Sequence, residues 1–317
     1  MSTNADELIK IAMADLTVSD LGAGGKLRPE QADTFYRKVM DTSKFLGEVR
    51  SVQMNADQMN INKIGLGTQI LYPANAGTPP YPTDANTNSR YLAAANRFNP
   101  AFEQITLTVR EYIAETVLTD DVLENNLEQD NLPNIILDLA AKKIGWDLER
   151  LLILGDTAAV DATGLINSQN GVLKRVTSNI VAAGGAWSAT VAGNVKKALP
   201  TRYRNDTRNM KFYLNPDVLI NQQVAVSARA TALGDNSLVN GPQLNMLGVA
   251  TEDLVALPLA NALYINPKNV ILGIQRNMRI ETYRDPRARA TGFVITTKLG
   301  MTLEEEDAIV RVNGITG

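Results

Sequence analysis

Two runs of acids, two runs of arginines and two glycine turns are the parts of this sequence whose residue types could do chemistry. Asp120-Asp121 and Glu304-Glu305-Glu306-Asp307 could serve general acid–base catalysis or hold a hard cation. Asp120-Asp121 reads more simply as an N-cap and a first-turn charge beside a helix dipole. The four acids at 304–307 are contiguous, so their carboxylates point in different directions, as on a solvated turn. Arg202, Arg204 and Arg208 surround Tyr203, and Arg284, Arg287 and Arg289 flank Asp285-Pro286. Both basic runs suit a solvated face or salt bridges to an acidic neighbour. Gly22-Ala23-Gly24-Gly25-Lys26-Leu27 lacks two parts of a phosphate-binding loop, with Asp20 at the first glycine position and Leu27 where Mg²⁺ needs a hydroxyl. Gly65-Leu66-Gly67 begins a dinucleotide fingerprint but has Ile70 at its third glycine position.

Histidine and cysteine are both absent. That removes Ser-His and Cys-His nucleophile pairs, disulfides and the usual zinc ligands. An enzyme would have to work through carboxylates, Lys or Tyr, as a glycosidase does with paired acids. None of the clusters above makes such a constellation, so neither catalysis nor a cofactor nor a metal is expected. The 317 residues are 44% hydrophobic and 5% aromatic, with a net charge of −3. This is enough to bury one large or two smaller cores, and too little positive charge for a dedicated nucleic-acid face. The start, Met1-Ser2-Thr3-Asn4-Ala5-Asp6-Glu7, is acidic where a secretory signal is basic. Val176–Val195 carries no charge but is too rich in Ser, Thr, Asn and Gly to span a bilayer. A soluble chain made in a cytosol is expected.

The elements that would position these groups begin with an amphipathic helix over residues 5–16, with Leu8, Ile9, Ala12, Met13 and Leu16 on one face. That face suits either its own domain or a neighbouring molecule. After the glycine joint at 22–25, Pro29 opens a second helix whose apolar stripe runs Phe35, Val39, Phe45, Leu46, Val49. Val49–Ile64 predicts one or two short strands. Residues 64–97 are a Pro/Gly/Asn-rich segment of 34 residues with strand-like ends. Ordering a backbone costs roughly 1–2 kcal/mol per residue, more than the few apolar side chains here can offset unaided. Such a loop is either floppy or ordered by other subunits. Residues 102–109 alternate as a half-buried strand. A short helix starts at Thr119-Asp120-Asp121. The strongest helix runs 133–154, with Leu137, Ala141, Ile144, Leu148 and Leu151 on one face and Gly155 closing it. Helical segments near 190–199 and 216–228 flank a strand at 210–214. Apolar segments follow at Leu254–Leu259 and Ala262–Ile265. The last stretch is strand-rich, at 270–274, 278–283, 292–297 and 309–312. The class is α+β.

In this order the parts resemble major capsid proteins of the Hong Kong 97 type, the fold of tailed-bacteriophage shells. The likeness runs from about residue 24 to the end and is carried by four stretches. They are Gly25-Lys26-Leu27-Arg28-Pro29-Glu30-Gln31; the segment 64–97 with the strand 102–109; the helix 133–154 with Leu154-Gly155-Asp156 and Gly164-Leu165-Ile166; and Asn266-Pro267-Lys268-Asn269-Val270-Ile271-Leu272-Gly273 followed by Arg276 and Arg279. The resemblance implies an N-terminal arm (1–50), an extended β-hairpin loop with flanking strands (51–110), and a peripheral domain with a long spine helix (111–165). An axial domain (166–265) and return strands of the peripheral domain (266–317) complete it. It implies a non-enzymatic subunit that self-assembles into hexamers and pentamers of an icosahedral shell around double-stranded DNA. An encapsulin, a nanocompartment shell of the same fold around cargo enzymes, is the alternative. Partners implied are other copies of the chain, portal and scaffolding proteins and, where one is used, a decoration protein. No membrane is implied, and the locations are the virion and, during assembly, the host cytoplasm. The loop would cross a neighbour through Tyr72, Pro79, Pro80, Tyr81, Arg90 and Arg97, and the arm would pack through Leu8, Ile9, Met13 and Leu16. Arg202, Arg204, Arg208, Arg284, Arg287, Glu304, Glu305 and Glu306 are candidates for salt bridges between subunits. Some relatives lock the shell with Lys–Asn isopeptide bonds, but residues 64–97 contain no lysine, so no such cross-link is expected. The likeness begins within about 25 residues of Met1, so a separate scaffolding protein is expected.

Overall fold

The computed structural model describes residues 43–65, 100–120, 132–204, 208–227 and 245–316. The chain divides into two compact units, Met59–Leu107 and the remainder, Met1–Gln58 with Thr108–Gly317.

The smaller unit is a two-stranded sheet of β2 (Gln58–Gly65) and β3 (Ala101–Thr108). Asn60 meets Thr106, Asn62 meets Gln104 and Lys63 meets Glu103, so numbers rise on one strand as they fall on the other. The pairing is therefore antiparallel, the stem of the expected hairpin. Residues 66–99, which carry the rest of that expectation, lie outside the described residues, as do residues 1–42 of the arm and the expected helix beyond Asp120.

The larger unit holds two sheets. The first has the order β1-β9-β10-β4, from β1 (Arg50–Gln53), β4 (Arg110–Thr119), β9 (Val270–Asp285) and β10 (Ala290–Leu303). β9 and β10 form one long antiparallel hairpin, β4 pairs antiparallel with β10, and β1 runs parallel to β9. The sequence breaks this hairpin into shorter strands at Gln275-Arg276-Asn277 and beyond Thr297, where the polar residues face solvent or bulge without ending the ladder. Helix α2 (Leu132–Leu154) packs here, burying Leu137, Ala141, Leu148 and Leu152 against Leu272, Ile280, Phe293 and Ile295. Its predicted stripe is therefore correct.

α2 stops where Gly155 comes close to a neighbouring segment. A Cβ on Gly155 would lie 2.7 Å from the Leu151 carbonyl and 2.9 Å from the Gly171 nitrogen. Gly155 is not among the described glycines with positive φ, so it serves close approach and not a left-handed cap. The helix predicted from Pro29 through Val49 also needs correcting. Ser43 has an extended backbone (φ −113°, ψ 121°) and caps a separate short helix, α1 (Lys44–Glu48). Phe45 and Leu46 are buried as the stripe requires.

The second sheet has the order β5-β11-β8-β6-β7, from β5 (Ile180–Gly185), β6 (Lys211–Leu214), β7 (Ala250–Asp253), β8 (Ala262–Ile265) and β11 (Val310–Ile315). Alternation along its strands feeds two cores. Tyr213, Leu263 and Ile265 join the core beneath α2, while Phe212, Leu214, Tyr264, Val310 and Val312 face the other way. That other core is closed by Val191, Ala192 and Val195 of α4 (Ala189–Ala198) and Val218 of α6 (Pro216–Ser227). Trp187 meets Phe212 edge-on and Phe212 stacks on Tyr264, with centroids 5.6 and 4.6 Å apart. Two short helices, α3 (Val172–Arg175) and α5 (Thr201–Arg204), complete the described elements used below. β11 sits between β5 and β8, in the second sheet. Among the described residues no helix is long and apolar enough to cross a membrane.

Candidate assembly surfaces

The acidic run 304–307 occupies the turn by which the chain leaves β10 and enters β11. Its carboxylates diverge, as contiguity demands. Glu304 pairs with Arg50 (3.1 Å) and Asp307 with Arg202 (2.8 Å), while Glu305 accepts from the Tyr203 hydroxyl (2.9 Å). Glu306 accepts from the Thr177 amide and hydroxyl (both 2.7 Å) and the Ser178 amide (3.0 Å). Burial pushes the Glu306 carboxyl up, but these donors together hold it below the usual carboxylate range. Asn269 closes the turn, its amide donating to the Glu305 carbonyl (2.7 Å) and its oxygen accepting from the Glu305 amide (2.8 Å). The run is thus a staple across the passage between the two sheets.

Three of the five arginines nominated for contacts between subunits are engaged within the chain. Arg202 lies over the Tyr203 ring at 4.6 Å besides holding Asp307. Arg204 donates to the carbonyls of Leu199 (2.6 Å) and Lys197, satisfying the end of α4. Arg284 clasps Asp120 with both nitrogens at 2.6 Å. Asp120, expected at the start of a helix, is helical just past β4, and its carboxylate holds Arg284 of β9. Arg208 and Arg287 are exposed. The loop residues Tyr72, Pro79, Pro80, Tyr81, Arg90 and Arg97 lie outside the described residues, as do the arm residues Leu8, Ile9, Met13 and Leu16.

Sequence reasoning missed a cluster around α1. Glu149 of α2 is buried at 7% exposure, and its carboxylate takes the hydroxyl of Ser43, which is 4% exposed and caps α1. Burial pushes the Glu149 carboxyl up, the Ser43 bond opposing it and Asp253 adding to it. Lys44 pairs with Asp253 (2.5 Å), and Glu48 takes Lys211 (2.5 Å) and the Tyr213 hydroxyl (2.6 Å). Burial, then the Glu48 acceptor, keeps the Tyr213 phenol protonated far above its ordinary range. The only sequence signal was Lys44 and Glu48 standing four apart on one short helix.

A shallow groove of about 420 Å³ lies between α2 and the first sheet, lined by Tyr112, Ile144, Leu148, Leu165, Met278 and Ile295. Its carboxylates, Glu111 and Asp147, already hold Arg276 (3.0 Å) and Lys143 (3.1 Å). Among the described residues no three acids gather as a metal site. What the surface offers instead is apolar. Ile64 and Phe102 are 63% and 74% exposed on the ribbon, Ile113 and Val117 stand out from β4, and Ile220 and Val224 lie one turn apart on α6. Lys143 sits 3.9 Å over the Trp146 ring on α2.

A long helix on a four-stranded sheet, a second five-stranded sheet and a separate two-stranded ribbon, with several exposed apolar positions, make the fold of a shell subunit. The chain belongs to the phage capsid family, whose pattern it matches over residues 24–314. It is 34% identical over 315 residues to the putative prophage capsid protein YqbE of Bacillus subtilis (strain 168), covering 95% of this chain and 96% of that one. Solved structures with the same fold include the satellite phage P4 procapsid with its size determination (Sid) protein (TM-score 0.62, 10% identity, 99% and 98% covered). Mycobacterium phage Adephagia (0.62, 11%, 100% and 99%) and the capsid of a native GTA particle (0.60, 16%, 87% and 91%) are others. The resemblance to the Hong Kong 97 type is correct, and the chain is a structural protein of a phage shell. The encapsulin alternative finds no support in these matches.

Proposed function

We propose that copies of this chain form the hexamers and pentamers of a closed icosahedral shell around double-stranded DNA, without catalytic activity of its own. The first sheet with α2 supplies the peripheral part of each subunit, and the second sheet supplies the axial part. Scaffolding and portal proteins assist assembly in the host cytoplasm, and a decoration protein binds outside where one is used. The observation that carries this reading is the ribbon of β2 and β3. A lone two-stranded ribbon is at best marginally stable in water, and this one leaves Ile64 and Phe102 in solvent. A neighbouring subunit supplies the surface that covers them.

The test is negative-stain electron microscopy with sedimentation velocity on the full chain, alone and with its candidate scaffold. Closed shells, tubes or rings of many subunits are expected. Phe102→Asp is expected to abolish them while the unassembled subunit melts as the wild type does. A monomer under every condition overturns the shell, and normal shells from Phe102→Asp overturn the role of the ribbon.

A further inference from the structure

The turn between β7 and the segment before it carries a backbone that its sequence does not suit. Met246 and Val249 exchange both backbone hydrogen bonds, at 2.9 and 3.0 Å, leaving Leu247 and Gly248 as the two central residues. Their φ angles are 52° and 78°, the mirror-image tight turn in which both central residues are left-handed. Glycine suits the second position. Asparagine, aspartate or glycine suits the first, because a bulkier side chain crowds its own carbonyl there. Leu247 occupies it, and is half exposed.

Packing within the chain explains the turn. Met246 and Val249 are buried in the core of Phe212 and Tyr264, and the Lys196 ammonium of α4 donates to the Leu247 carbonyl at 3.0 Å. The turn is therefore pinned on both flanks. One methyl of the half-exposed Leu247 side chain lies 3.9 Å from where a Cβ on Gly193 would stand. An asparagine would relieve the backbone and sit better in water. A strained, rigidly held apolar side chain at the surface points to use in a contact.

We infer that Leu247 is an anchor between subunits, seated against apolar surface on a second copy of this chain. The occupant is a second copy because shell subunits meet copies of themselves, so the inference rests on the shell reading. The chain has no cysteine, so Leu247→Cys carries a single thiol. Its rate of modification by a maleimide is compared between the unassembled subunit and shells made from the same protein. The expected result is modification roughly tenfold slower in shells, as in an interface core that excludes water. Equal rates overturn the anchor and leave the shell reading standing, whereas a wild-type chain that never assembles overturns both. A second variant covers the case in which the cysteine chain fails to assemble. Leu247→Asn is expected to melt no lower than the wild type, while the subunit concentration needed for assembly rises roughly tenfold. Lower melting with wild-type assembly shows a leucine serving its own fold, and overturns the inference.

Discussion

At position 149 the chain buries a carboxylate with a serine hydroxyl for its partner, while Asp253 lies near enough to oppose its charge. A buried charge short of donors costs folding free energy, which is why the Glu149 carboxyl is pushed up. The group is better protonated in the folded chain than in the unfolded one. Its favourable contribution is complete below the unfolded value and is lost as pH rises through the folded value. Lys44, Glu48, Glu252 and Lys211 share the neighbourhood, but only Glu149 is buried among them. Glu149→Gln keeps an acceptor for Ser43 and removes the charge. It is expected to melt higher than the wild type at pH 7, with the gap closing as the pH falls toward the ordinary carboxylate range. A gap that is constant with pH would show that charge is not the cause. Glu306 has the opposite sign: held low by Thr177 and Ser178, it contributes stability above its unfolded value that is lost as acid protonates it.

The element that organises the larger unit is α2, a helix of 23 residues whose two faces have different fates. Leu148 is 6% exposed against the first sheet, and Leu139 is 59% exposed. Leu148→Ala is expected to cost about 2–5 kcal/mol, the transfer of a large side chain plus the cavity left behind. Leu139→Ala is expected to change stability by less than about 0.5 kcal/mol. Denaturant unfolding of the two variants checks both, and similar losses from each would mean that the outer face is packed in the isolated subunit. The β10–β11 turn is the other organising element. The carboxylates of 304–307 hold Arg50, Thr177, Tyr203 and Arg202, fixing the point at which the chain changes sheets.

For the whole molecule, the absence of lysine from 64–97 bears on how a shell could be locked. The lysine at the base, Lys63, holds Glu103 at 3.2 Å across the ribbon. Mature particles boiled in denaturant are expected to give a single band near 34.4 kDa on a gel. A ladder of covalent multimers would refute this. A shell without covalent cross-links should come apart in denaturant without reductant or protease.

The helix 133–154 and the strand at 102–109 were legible because each buries mainly one face, and burial imposes a period of 3.6 or 2 on the residues, whereas the strand at 210–214 shows as a short apolar run buried on both faces. The order of those elements was enough to point to a capsid fold. β4 and β5 escaped notice, since Arg110–Thr119 mixes charges with adjacent apolar pairs such as Tyr112-Ile113 and Val117-Leu118 and Ile180–Gly185 is mostly Ala and Gly. Helix boundaries set by one cap, as at Ser43, and the partner strand of β11 were also beyond local pattern. So were the destinations of Arg284, Glu149 and the acids at 304–307. Sequence by itself determines which faces are apolar and where charges stand, because those follow from neighbours along the chain. Which acid meets which base, and which glycine lets two segments touch, was decided only by the tertiary structure. Those partners lie more than a hundred residues apart for Ser43 and Glu149, and a pairing at that separation leaves no period in the sequence.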